Sequence, residues 1–250
     1  MSTTLFITGA SSGIGASFLE RVPEGIDRVV TFSRRQAPGE WCEADLAEGA
    51  SWMAVIAEME KVLDAEAPEH AIFFHCSGVM EPISRVTDYA PTDYASMLMV
   101  NYASGASIGQ GFLRACAQRG VRATLVLTST PAAHKVPPGL SAYSASKLGL
   151  EHWGLCAASE QSVESGNRVF TVVPYAVLTD MVRGVMKEDP ADVPLVNYFR
   201  DIEAADEFAT PELTADHIWS AIDTAANGDI LPVGAVWIAE RNAAAAASGS

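Results

Sequence analysis

The stretch TLFITGASSGIG, residues 4–15, decides the fold. An apolar, β-branched run ends in three closely spaced glycines, Gly9, Gly13 and Gly15, and leads into ASFLERV, which has helical spacing. Strand, glycine turn and helix together make an anion-binding arrangement. The glycines allow a tight turn and close approach of a pyrophosphate to backbone N–H groups, while the helix N-terminus supplies partial positive charge. The stretch predicts a dinucleotide site on Gly9, Ser11, Ser12, Gly13, Ile14 and Gly15. Its spacing, TGxxxGxG, differs from the commoner GxGxxG.

Outward from this turn the same alternation continues. RVVTFS (28–33), AIFFHC (71–76), ATLVLTS (123–129), RVFTVVP (168–174) and PVGAVWI (232–238) read as further strands. Several are apolar throughout, as expected when helices cover both faces of a sheet. Between the second and third of these six runs, Trp52, Val55, Ile56, Met59, Val62 and Leu63 recur at helical spacing and predict one buried stripe. Regular βαβ alternation implies right-handed crossovers, hence an α/β fold with a doubly wound parallel sheet whose ligands sit beyond the carboxyl ends of the strands. No internal repeat or linker divides the chain, so one domain is expected over residues 1–240. The low-complexity end RNAAAAASGS, with residues 241–250, reads as a tail.

Composition narrows the function. The 250 residues are 49% hydrophobic, enough for one large core, and carry a net charge of −15. That average field repels a nucleic-acid backbone or an anionic membrane surface, though a local basic spot can still hold one small phosphate-bearing molecule. Cys42, Cys76, Cys116 and Cys156 are widely spaced with no CxxC pair. They imply reduced thiols with neither a disulfide framework nor a metal site. The start lacks a basic, apolar leader pattern, so a cytoplasmic protein is expected.

The stretch SAYSASKLGL, residues 141–150, sets Tyr143 and Lys147 four apart, which on a helix makes them neighbours. A phenol with a pKa of about 10 is a poor base near neutral pH, and a nearby cation that favours phenolate improves the match. TGASSGIG, Asn101 in MLMVNYASG, LTST (127–130), YSASK (143–147) and VVPYAVLTDM (172–181) follow one another in order. In this series the chain resembles the short-chain dehydrogenase/reductases in their single-domain Rossmann form, with weaker similarity to sepiapterin-reductase-like and benzil-reductase-like members.

The resemblance implies roles. Tyr143 exchanges a proton with the substrate oxygen, Lys147 supplies charge and bonds the nicotinamide ribose, and Asn101 continues a proton path. A hydroxyl thirteen residues before the tyrosine orients the substrate. Thr130 stands there without a gap, and Ser129 takes the role if one residue is inserted; neighbours on a strand point to opposite faces, so only one serves. His134 nearby is either a pocket residue or an exposed loop histidine. The cofactor-binding positions further include Asp45 and Leu46, Ser77 and Gly78, Pro174, Tyr175, Val177 and Thr179. Cys76 replaces the family's usual asparagine, and Tyr175 its usual glycine.

Cofactor choice depends on the end of RVVTFSRR, where Ser33 occupies the position of the usual NAD-selecting acid and is followed by Arg34 and Arg35. Guanidinium groups suit a ribose phosphate, so NADP(H) is expected. Residues 181–210, rich in charge and broken by Pro190 and Pro194, read as a substrate lid, with Met181, Val185, Leu195, Tyr198 and Phe199 facing an apolar ligand. The expected activity is NADPH-dependent hydride transfer to or from a small apolar or aromatic ketone, dicarbonyl or secondary alcohol. The alternative is a non-catalytic NADP(H)-binding sensor on the same fold. A homodimer or homotetramer is expected from the resemblance.

Overall fold

Alternation along β1 (Thr3–Thr8) explains why so apolar a strand is stable at the centre of the molecule. Leu5 and Ile7 point to one face of the sheet and Phe6 to the other, and both faces are covered. In this computed structural model, which describes residues 2–191 and 193–234, β1 pairs in parallel with β2 (Arg28–Ser33) on one side and β4 (His70–His75) on the other. The sheet continues through β3 (Glu40–Glu43) at one edge and β5 (Arg122–Thr128), β6 (Arg168–Val172) and β7 (Ile230–Leu231) at the other. Its order is β3-β2-β1-β4-β5-β6-β7, with every pairing parallel. The doubly wound sheet is thus as expected.

On one face lie α2 (Gly49–Glu66), α4 (Ser104–Arg119) and α5 (Ser141–Ser159). Val55, Ile56, Met59, Val62 and Leu63 of α2 form the anticipated stripe, packed with Phe6, Phe73 and Phe112, while Trp52 is partly buried against them. On the other face, α1 (Gly13–Leu19) and α8 (Pro211–Thr224) pack together, Phe18 stacking on Trp219 with ring centroids 4.1 Å apart. Burying each of these large apolar side chains contributes about 1.5–3 kcal/mol. A third apolar cluster lies over the carboxyl end of the sheet, where α6 (Asp180–Val185) and α7 (Leu195–Ala204) bring Val185, Val196, Phe199 and Ile202 against Met80 and Leu140. The expected lid over residues 181–210 therefore has a small core of its own.

Two elements differ from the sequence reading. The short edge strand β3, EWCE, has charged ends and was not among the expected strands. Distant contacts hold it: Arg28 reaches Glu40 at 2.9 and 2.7 Å and Glu66 at 2.6 Å, and Trp41 donates to the Ser33 carbonyl at 3.2 Å. The final strand is seen at Ile230–Leu231, whereas the expected run 232–238 lies mostly outside the described residues, as does the tail at 241–250. Between α3 (Pro91–Leu98) and α4 the backbone makes one π-helical turn, Met99–Ala103. Among the described residues no helix is long and apolar enough to cross a membrane, and no cluster of acidic, histidine and cysteine side chains is arranged to hold a metal.

Candidate active site

The strand order reverses direction between β1 and β4, so the connections leaving these strands diverge and leave a crevice at their carboxyl ends. The β1–α1 turn forms its floor. Gly9 has φ +74°, and a Cβ there would lie 2.8 Å from the Ser77 backbone nitrogen. A Cβ on Gly15 would lie 2.3 Å from the Gly9 carbonyl oxygen. Both positions thus require glycine, the first for conformation and space and the second for space alone. From this turn a cavity of about 930 Å³ runs to α6 and α7. It is lined by every cofactor and catalytic position expected from the sequence except Asn101.

At the far wall, α5 presents Tyr143, Lys147 and Glu151 at successive turns. Lys147 is buried and donates to the Thr128 carbonyl at 3.0 Å. Burial lowers its ammonium to about 8, against the opposing influence of Cys76 and Glu151. Burial raises the Tyr143 phenol above its ordinary value, and interaction with the Thr130 hydroxyl pulls it part of the way back. The phenol is therefore neutral near pH 7 and able to donate a proton. Burial also pushes the Cys76 thiol up to about 11, so this replacement for an amide is an uncharged neighbour of Lys147.

Asn101 is fully buried on the π-helical turn, behind Gly78. Its Oδ1 accepts from the Val79 N–H at 2.8 Å and its Nδ2 donates to the Val79 carbonyl at 2.7 Å. The side chain thus ties the segment after β4 to the helix, and it does not reach the cavity wall. Ser129 and Thr130 diverge as adjacent extended residues must. Ser129 donates its hydroxyl to Glu151, while Thr130 lies against Tyr143 and caps the 3-10 turn Pro131–His134, accepting from Ala132 N–H at 3.3 Å.

The opposite end of the cavity holds the basic pair. Arg34 and Arg35 are exposed beyond β2, neither in an ion pair among the described residues, and Arg35 Nη2 reaches back to Ser12 Oγ at 3.4 Å. Ser33 donates its hydroxyl to the Arg35 carbonyl at 2.6 Å, which shapes this corner. Asp45 Oδ1 accepts from Ala47 N–H at 3.0 Å, so part of its carboxylate is engaged in its own turn. On α7, the Tyr198 phenol is pushed up to about 12 by burial and by the adjoining Tyr175 phenol, and Lys135 Nζ stands 5.7 Å from the Tyr198 ring centre. Two features were not legible beforehand: the Tyr175–Tyr198 contact across the cavity mouth, and the buried Glu151 behind the turn that carries Thr130.

A parallel sheet with its cavity at the switch point, and a tyrosine and lysine one turn apart on its wall, places the chain among Rossmann-type α/β oxidoreductases. More narrowly, it belongs to the short-chain dehydrogenase family, whose model matches residues 3–190. A relative in Arabidopsis thaliana, short-chain dehydrogenase reductase 3b, is 26% identical over 195 residues, covering 74% of this chain and 75% of that protein. Among solved structures, a short-chain dehydrogenase/reductase from Saccharomyces cerevisiae superimposes with a TM-score of 0.79 at 18% identity, over 93% of this chain and 96% of the other. An oxidoreductase of the same family from Brucella ovis, solved in complex with a partially ordered NAD, gives 0.67 at 20% identity, over 93% and 99%.

Proposed function

We propose that the protein is an NADP(H)-dependent oxidoreductase that interconverts a small apolar or aromatic ketone or dicarbonyl with the corresponding secondary alcohol. The observation that carries this reading is the meeting of Tyr143, Lys147 and Thr130 at one end of a cavity whose other end is the glycine turn. The glycine turn fits a dinucleotide, since Gly9 and Gly15 let the chain close on the Ser77 backbone and on its own carbonyl while Ser11, Ser12, Gly13 and Ile14 line the cavity. A bound nicotinamide supplies or accepts the hydride.

The chain's own residues do the rest. The Thr130 hydroxyl donates to the carbonyl oxygen and holds it beside Tyr143, whose phenol gives up its proton as the oxygen becomes a hydroxyl, and takes one back in the reverse direction. Lys147 follows one turn along α5 and, while charged, favours the phenolate that this transfer leaves. Asn101 keeps the Val79 segment against the helices, which maintains the wall over Lys147. We assign the orienting role to Thr130 and not to Ser129, because the Ser129 hydroxyl is bonded to Glu151.

NADP(H) is favoured over NAD by three features: the absence of an acid at Ser33, the two exposed arginines beside it, and the Arg35 contact with Ser12 that brings a guanidinium over the turn. The lid residues Val182, Leu195 and Phe199, with Met80 and Leu140, make the substrate end apolar, and Tyr175 and Tyr198 add two phenols. This lining favours aromatic and aliphatic carbonyls over sugar phosphates. Self-association through α4 and α5 is supported by the exposed Tyr102 next to α4 and the exposed Leu148 and Leu155 on α5. The test is loss of NADPH and of NADH absorbance, side by side, against aromatic ketones, 1,2-diketones and quinones. Turnover with NADPH in clear excess over NADH supports the reading. NADPH binding without turnover of any carbonyl, or of any alcohol in reverse, supports the sensor alternative.

A further inference from the structure

We propose that Glu151 is a positioning residue that fastens both ends of the Thr130 turn to the helix carrying Tyr143 and Lys147, with His134 as the solvent-facing half of the fastening. The inference rests on the reductase reading above. Glu151 stands one helical turn beyond Lys147, and its side chain is only 2% exposed. A carboxylate so buried costs several kcal/mol unless its oxygens are paired. Here each oxygen has its own partner: Ser129 Oγ donates to Oε1, and His134 Nε2 stands 2.6 Å from Oε2.

Those two partners bracket the turn. Ser129 continues β5, its N–H bonded to the Val172 carbonyl at 2.9 Å, and His134 closes the 3-10 turn. Thr130 lies between them, held within the turn by the Ala133 N–H on its carbonyl at 3.0 Å and the Ala132 N–H on its hydroxyl oxygen. Without the carboxylate, nothing among these bonds ties the far end of the turn to α5. With it, the hydroxyl that orients the substrate and the phenol that protonates it are referred to a single rigid helix.

The chemistry of the pair is consistent with this role. The carboxylate oxygens accept, so the Ser129 hydroxyl and a His134 ring N–H are the donors. Lys147 bears on Glu151 from its own helix, and the His134 ring meets it from the turn. His134 is 56% exposed, so it can be replaced without emptying a core position. Displacing a reacting group by about 1 Å costs up to about a hundredfold in rate, so a loosened turn is read in kcat.

The test compares the protein with His134→Ala and His134→Gln, all loaded with NADPH. The readouts are steady-state kinetics on the best carbonyl of the panel, NADPH affinity by fluorescence, and amide hydrogen exchange. The expected result for His134→Ala is a kcat lowered about tenfold, with NADPH affinity changed by less than about twofold, and faster exchange confined to residues 129–135. In His134→Gln, whose amide N–H can donate to Oε2, part of the lost kcat returns. The proposal is overturned if His134→Ala keeps kcat within about twofold, if the exchange of the turn is unchanged, or if alanine and glutamine variants are equally impaired. Absence of turnover in the unaltered protein defeats the reductase reading instead. The exchange comparison, which needs no turnover, then decides the fastening alone.

Discussion

Replacing Lys147 with methionine removes the activity and stabilises the fold, and the stabilisation has a defined pH dependence. Lys147 is buried with its ammonium on the Thr128 carbonyl. Burial is the largest influence on it and lowers its pKa from 10.5 to about 8. At about 1.4 kcal/mol per pH unit, the buried charge costs about 3 kcal/mol relative to the unfolded chain. The sign follows from proton uptake. Between about pH 8 and about pH 10.5 the unfolded chain binds the proton more tightly than the folded one, so the penalty is complete below this window and fades as pH rises through it. Methionine has a similar length and no charge, but it leaves the Thr128 carbonyl without its donor, a constant loss of about 1 kcal/mol. The stability difference between the two proteins should therefore fall by about 3 kcal/mol from about pH 7 to about pH 10.5, all other titrations being common to both. Urea unfolding of both proteins at matched pH, without added nucleotide, measures it. A difference that is flat across this range refutes the claim that the fold carries Lys147 as a strained cation.

Three further outcomes follow from the geometry. Gly9→Ala places a Cβ 2.8 Å from the Ser77 backbone at a φ of +74°, so it should lower stability by about 1–3 kcal/mol and abolish dinucleotide binding; thermal unfolding and nucleotide titration check both. Arg34→Ala and Arg35→Ala together should weaken NADPH by about tenfold or more and leave NADH almost unchanged, as read by fluorescence titration; equal losses for both nucleotides contradict the phosphate role. Thr130→Val keeps the β-branched shape and deletes the hydroxyl, so kcat should fall about a hundredfold while the affinity for NADPH holds. A kcat within about twofold of the parent would return the orienting role to another group.

The sheet and its glycine turn were legible because both depend on neighbours in sequence. Residues 4–15 contain a strand, a turn and a helix start, and the α2 stripe repeats within one helix. What the sequence left open depends on distant partners. β3 is too short and too charged to be read as a strand, and it exists because Arg28 and Trp41 gather it onto β2. The choice between Ser129 and Thr130 turns on which way a strand end points, and the partner that engages the Ser129 hydroxyl, Glu151, lies 22 residues beyond it. His134 offers only a polar loop residue to the eye, yet its ring meets the same carboxylate from 17 residues away. That the Asn101 amide is engaged on both sides by Val79 was hidden in the same way, because its partner lies 22 residues away. Residues 181–210 stand out by composition, whereas the Tyr175–Tyr198 contact joins two segments whose separation hides it.

The central claim is that Tyr143 is the proton donor at the end of a cofactor cavity. The most direct measurement is kcat and NADPH affinity on the same preparation of Tyr143→Phe, which deletes one oxygen and leaves the ring. The account predicts turnover lowered by about a hundredfold or more, with NADPH still bound within a few-fold of the parent affinity. A Tyr143→Phe protein that turns over the same carbonyl at an undiminished rate would contradict it.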